Sequence, residues 1–142
     1  MKPFEFINHT ADVGIKARGS TLTELFENAA RGMFAVIARE GCDAKGSKAE
    51  KSIEVCKNSD NFEETLVGWL SELLYIFNRE KIYFNDFKIL SLNDGGIKAE
   101  ATGVNIDLYQ SSLYTEIKAV TFHNLKIEED VDGFSCTIIF DV

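Results

Sequence analysis

Two stretches of this chain repeat apolar residues at helical spacing, and each must bury one face. Leu22, Leu25, Phe26, Ala29, Ala30, Met33, Phe34 and Ile37 form the first stripe; Phe62, Leu66, Trp69, Leu70, Leu73 and Phe77 form the second. An amphipathic helix draws most of its stability from packing that stripe against something else, so each needs a partner surface. Thr21-Leu22-Thr23-Glu24 fits a capping box, with a threonine at the cap and a glutamate three residues on. The spacing predicts a first helix over Leu22 to Ala38. Asp60 is the expected cap of the second, with Glu63 and Glu64 in the first turn, where the helix dipole favours acids. Aromatic residues on such stripes read as packing.

The rest of the chain alternates with a period of two. Phe4, Phe6 and Ile7 mark a strand within Lys2 to Ala11, and Val13, Ile15 and Ala17 alternate with Asp12, Gly14, Lys16 and Arg18. Arg39 to Lys51 is charged and glycine-containing and reads as an exposed loop; Ile53 and Val55 mark the next strand. After the second helix, Phe84 to Leu92 leads into Asn93-Asp94-Gly95-Gly96, a strong turn signal, and Ile97, Ala99 and Ala101 alternate beyond it. Glu116 to His123 alternates, and Asp130-Val131-Asp132-Gly133 turns the chain into a last strand, Phe134 to Val142. This order predicts an α+β fold, with two helices packed on a mostly antiparallel or mixed β-sheet, in a single domain spanning 1–142.

Composition narrows the class. The chain has 142 residues, 45% apolar and 27% charged, enough for one domain with a real core. Pro3 is its one proline, so no proline-rich linker divides it. No apolar run approaches the roughly 18 residues that cross a bilayer. The opening MKPFEFINHTADVG meets polar residues too soon for a secretory signal. Cys42, Cys56 and Cys136 are odd in number and lack CxxC spacing, which argues against a disulfide framework or zinc site and for a cytoplasmic setting. A formal net charge of −8 disfavours a broad nucleic-acid surface and suits a basic protein partner.

The last strand places Phe134, Cys136, Ile138, Phe140 and Val142 on one face and Ser135, Thr137, Ile139 and Asp141 on the other. Taken alone, Asp141 reads as the solubilising charge of an edge strand. Asn8-His9-Thr10-Ala11-Asp12-Val13-Gly14 shifts that balance. It sets a histidine, a threonine and an aspartate between two strand-like segments, and Asp12 has the polar phase of its strand. Local side-chain to backbone bonds in a turn account well for Asp12 and poorly for His9.

HTADVGI, TLTELFENAARGMF, EIKAVTFHNLKI and the final FDV, in this order and spacing, resemble the archease family over essentially the whole chain. Asn8 stands where the family often has Asp, and Phe122 where Tyr is common before the histidine. The resemblance implies a protein cofactor, not an enzyme. Its partner is an RtcB-type tRNA-splicing RNA ligase, whose active-site histidine it helps to guanylylate. It thereby permits multiple turnover and can broaden nucleotide use. The resemblance also maps a metal site onto Asp12, Asp141 and Val142, the last through main-chain oxygen.

Physical chemistry is consistent with that mapping. Two carboxylates about 4 Å apart repel by about 4 kcal/mol at an effective dielectric of about 20. A fold that joins Asp12 and Asp141 needs a cation, a shared proton or a basic side chain. All-oxygen ligation suits Ca²⁺, Mg²⁺ or Mn²⁺. Lys118 is the basic alternative, and His9 or His123 offers nitrogen ligation. Asp130 and Asp132 lack the companion ligands of a calcium loop and fit a hairpin turn. Two other functions stay open: a stand-alone metal-dependent hydrolase, and a chaperone-like adaptor whose carboxylates pair with a partner's basic residues.

Overall fold

Thr21 opens the first helix, α1 (Leu22–Ile37), its hydroxyl accepting a bond from the Glu24 amide at 3.1 Å. This is the cap expected from the sequence. The computed structural model describes residues 2–8, 13–38, 51–106 and 115–142. The predicted loop from Arg39 lies outside these residues as far as Glu50.

The second helix, α2 (Phe62–Glu80), is capped by Asn61 and not by Asp60. The reason is geometric. Asn61 is the residue whose carbonyl accepts the first helical amide, from Thr65 at 3.0 Å, and its Oδ1 accepts from Glu64 N at 2.8 Å. Asp60 lies one residue too early, and its own amide donates to Glu64 Oε2 at 3.3 Å. The helix ends at Lys81, which adopts a left-handed conformation with φ 56°.

The strands are β1 (Phe4–Asn8), β2 (Val13–Gly19), β3 (Lys51–Asn58), β4 (Ile82–Asn93), β5 (Gly96–Asn105), β6 (Ala119–Val120), β7 (Glu128–Asp130) and β8 (Gly133–Asp141). Every described ladder is antiparallel, and the strands divide between two sheets. One runs β1-β2-β8-β6, with β7 also paired to β8; the other runs β3-β5-β4. The α+β class therefore stands, with two sheets sharing the helices. α1 packs on β1, β2 and β8 of the first sheet and on β4 of the second, while α2 packs on β3, β4, β5 and β6.

The core lies where these layers meet. Phe34 makes edge contacts to Phe77, Tyr83 and Phe84, with ring centroids 5.9, 5.3 and 5.7 Å away. Trp69 is fully buried, and its indole N–H donates to the Phe26 carbonyl of α1 at 3.1 Å. The register shift between Phe84 and Asp86 breaks strict alternation in β4, so that both Phe84 and Phe87 face inward. Asp130 Oδ1 accepts from the Asp132 amide at 2.8 Å, which makes the acidic stretch a hairpin turn, as its spacing predicts.

Candidate functional site

Strand alternation brings the C-terminal residues to the surface in a defined order. Ile138 and Phe140 are buried, and Asp141 is exposed on the opposite phase. β8 is not an edge strand: it lies between β2 and β6. Edge protection therefore does not account for Asp141. At this end of the sheet Val13 pairs with Phe140, and Ala119 pairs with Asp141. Asp12 precedes the first of these residues in sequence, but Asp12 and His9 lie outside the described residues.

A cavity of about 360 Å³ opens beside Asp141, lined by Ala119, Thr121, His123, Ile139, Phe140, Asp141 and Val142. Of the candidates, it brings together His123, Asp141 and Val142. Lys118 reaches the same strand end through its backbone, its amide donating to the Asp141 carbonyl at 2.6 Å. The ion pairs among described residues are Arg18–Glu5, Lys57–Glu72 and Lys98–Glu54, so Lys118 makes none with Asp141.

The segment after β6 is held from two sides. The Thr121 amide and hydroxyl both donate to the Ile139 carbonyl, each at 3.0 Å. The same hydroxyl accepts from the His123 amide at 3.2 Å. Asn124 takes a left-handed turn position with φ 54°, and its side chain lies 3.3 Å from His123 Nε2. Sequence reasoning passes over Thr121, because its partner lies eighteen residues away and no local pattern signals the bond.

The donors fit a hard cation in kind. Asp141, whose carboxylate makes no ion pair among the described residues, and Val142 line the same cavity and can offer a carboxylate and a main-chain oxygen. Among the described residues no group of three or more His, Cys, Asp or Glu side chains gathers closely enough to hold a metal. Thiolate chemistry lies elsewhere. Cys136 is buried in β8, and burial, with the charges of Glu63 and Glu128 adding, pushes its thiol up to about 12. Cys56 is exposed on β3 and Cys42 lies outside the described residues. No described helix is long and apolar enough to cross a membrane.

Comparison with known proteins gives this geometry its context. The model of the Archease protein family matches residues 4–142. The chain belongs to the archease family. Protein archease of Methanosarcina barkeri is 38% identical over 99% of this chain and 97% of its own length. Protein archease of Pyrococcus furiosus is 38% identical over 94% of this chain and 93% of its own. The solution structure of protein 1598 from Methanobacterium thermoautotrophicum matches with a TM-score of 0.81 and 36% identity, covering all of both chains. A Thermotoga maritima archease, described as a possible chaperone, shares the fold with a TM-score of 0.63 at 21% identity. In this archease-family chain, the EIKAVTFHNLKI motif includes β6 and the Thr121–Asn124 turn, and the terminal FDV reaches the same cavity from β8.

Proposed function

We propose that this archease-family chain activates an RtcB-type tRNA-splicing RNA ligase. It promotes guanylylation of the ligase's active-site histidine, permits multiple turnover and broadens the nucleotides accepted. The observation that carries the reading is the placement of Asp141. It is an exposed acid at the end of an interior strand, where it shares a cavity with His123 and Val142. An acid in that position does nothing for sheet protection and leaves its oxygens open to a ligand.

In this reading Asp12, Asp141 and the main-chain oxygen of Val142 hold one divalent ion, Ca²⁺, Mg²⁺ or Mn²⁺. When bound, such an ion supplies positive charge for phosphate oxygens. The chain's own residues do the positioning. β2 and β6 fix the end of β8 from both sides, and Thr121 sets where His123 stands. No nucleophile is required on this chain, because the covalent chemistry belongs to the ligase.

The test is guanylylation of the matching ligase with wild-type protein, Asp12→Asn and Asp141→Asn. Each variant is expected to reduce stimulation by about tenfold or more, the scale of losing a metal ligand or its immediate support. Undiminished stimulation by both removes the role of the pair. Calorimetric titration with each divalent ion separates this reading from that of an adaptor, which predicts no binding at millimolar ion.

A further inference from the structure

The Thr121–Leu125 turn stands between two hollows. Thr121 and His123 line the cavity at Asp141, whereas Phe122 lines a second, open hollow of about 590 Å³ on the flank of α2. That hollow is walled by Asp60 and Glu64 at the start of the helix, with Val67 and Gly68 one turn further on. A β-carbon at Gly68 would meet the Lys57 stem at ordinary contact distance, 3.8 Å, while the Lys57 ammonium is already paired with Glu72 at 3.0 Å.

Phe122 is the unusual member. It is 58% exposed, although Ile117 and Val120 just before it are buried. Its presentation is fixed: Thr121 is bonded twice to Ile139, and the Phe122 carbonyl accepts from the Leu125 amide at 3.0 Å. A large aromatic ring held in the open by a pinned turn loses little further entropy on docking, which is how interface anchors work.

The charge around it selects the occupant. Asp60 and Glu64 make no ion pair among the described residues. The α2 N-terminus contributes about half a positive charge. Asp60, Glu63 and Glu64 at that same end outweigh it. A phosphate backbone is repelled here, and the net charge of −8 repels it further. A cationic side chain is attracted. A guanidinium suits the place better than an ammonium, because its plane stacks on the Phe122 face while its edge pairs with a carboxylate.

We infer that this hollow docks an arginine-bearing segment of the ligase, with Phe122 as the anchor and Asp60 and Glu64 as its charge partners. The inference rests on the activator reading and adds to it the surface that holds the partner. Because Phe122 and His123 are adjacent, a segment seated on the first brings the ligase against the Asp141 cavity.

The experiment measures binding of the purified RtcB-type ligase from the same genome, by calorimetry, alongside guanylylation. The variants are Phe122→Ala, Asp60→Lys, Asp141→Asn and, as a control at a fully exposed turn residue, Val131→Ser. All four positions are exposed, and circular dichroism checks that each variant folds. Phe122→Ala and Asp60→Lys are expected to weaken ligase binding by about tenfold or more. Stimulation by both should recover at saturating concentration. Added salt should weaken the wild-type complex more than the Asp60→Lys complex. Asp141→Asn should bind as wild type does and still fail to stimulate, and Val131→Ser should match wild type throughout. Unchanged binding by both Phe122→Ala and Asp60→Lys, with a ligase that binds wild type, overturns the docking surface and leaves the activator reading intact. A ligase that does not bind wild type at all overturns both.

Discussion

The two sheets pack against the same two helices but are assembled from different parts of the chain. The three-stranded sheet is the more local: β4 and β5 form a hairpin across Asp94-Gly95, with the Gly95 amide bonded to Asn93 Oδ1 at 2.8 Å, and β3 joins β5 from just before α2, as in Asn58 opposite Gly96. The five-stranded sheet joins chain positions more than a hundred residues apart, as in Val13 opposite Phe140. Closing so long a loop costs chain entropy that must be recovered by packing. The local sheet carries the aromatic contacts of the core, whereas the non-local one carries Asp141 at its open end. The division teaches that stability and candidate chemistry are separable here. Substitutions around the three-stranded sheet should change how much protein is folded. Substitutions at the Asp141 end of the five-stranded sheet should change what the folded protein does.

Trp69→Ala tests the stability side most severely. The side chain is fully buried, lies 6.1 Å from the Phe87 ring and donates to Phe26 O across the helix pair. Truncation should destabilise the fold by about 3–5 kcal/mol, as for other buried aromatics. Urea unfolding measures the loss. Below the unfolding transition, ligase stimulation per folded molecule should be unchanged. A loss under about 1 kcal/mol would show that the helix–sheet layer is not the main source of stability.

A pair of glycines sharpens the comparison. Gly103 on β5 has no room for a methyl group: a β-carbon there would press on the Tyr83 carbonyl and come within 2.7 Å of Phe84 Cα. Gly14 on β2 is as crowded, with Ile138 O at 2.5 Å and Ile139 Cδ1 at 2.9 Å. Either alanine variant should lower stability by about 1–3 kcal/mol through overpacking. They should differ in function. Gly103→Ala is expected to stimulate the ligase normally once folded. Gly14→Ala displaces β8 two residues before Asp141, so its stimulation should fall as well. If both variants stimulate equally well, the proposed separation of the two sheets fails.

How much of this was legible beforehand follows from the range of each interaction. Both helix stripes and the Thr21 cap are local patterns, and they appear where the spacing predicts them. The second cap differs by one residue, because Asp60 and Asn61 are both capping types and only the backbone decides between them. The Asn93–Gly96 hairpin is equally local. The division into two sheets was not legible, since strand pairing is non-local and period-two patterns do not name partners. Asp141's exposed phase was legible from alternation, but its place on an interior strand was not. The predicted strand over Glu116 to His123 contracts to Ala119–Val120, because the chain beyond is taken up by the turn that Thr121 anchors. His123 is a candidate for the Asp141 site from the sequence, but the cavity that joins the two is bordered by that same distant bond, which no local pattern signals.

The smallest effect separates the sheets through their cysteines. Cys56 lies exposed on the outer side of the three-stranded sheet, and Cys136 is buried within the five-stranded one. At pH 8 a thiol reagent should modify Cys56 readily and Cys136 only on unfolding, with peptide mapping to assign each site. The Cys136 thiol is raised from 9.0 to about 12, so the folded state favours the protonated form. Its contribution to stability is complete below pH 9 and is lost as pH rises from there towards 12. Near neutrality nothing should change. Above pH 9, the stability advantage of wild type over Cys136→Ala should shrink by about 1 kcal/mol per pH unit. Comparing the two proteins at each pH removes the shared titration of lysines and tyrosines. A difference that stays constant from pH 8 to 10.5, or labelling of Cys136 as fast as Cys56, would mean that β8 opens to solvent in the native state. The strand carrying Asp141 would then not be the rigid support on which the candidate site depends.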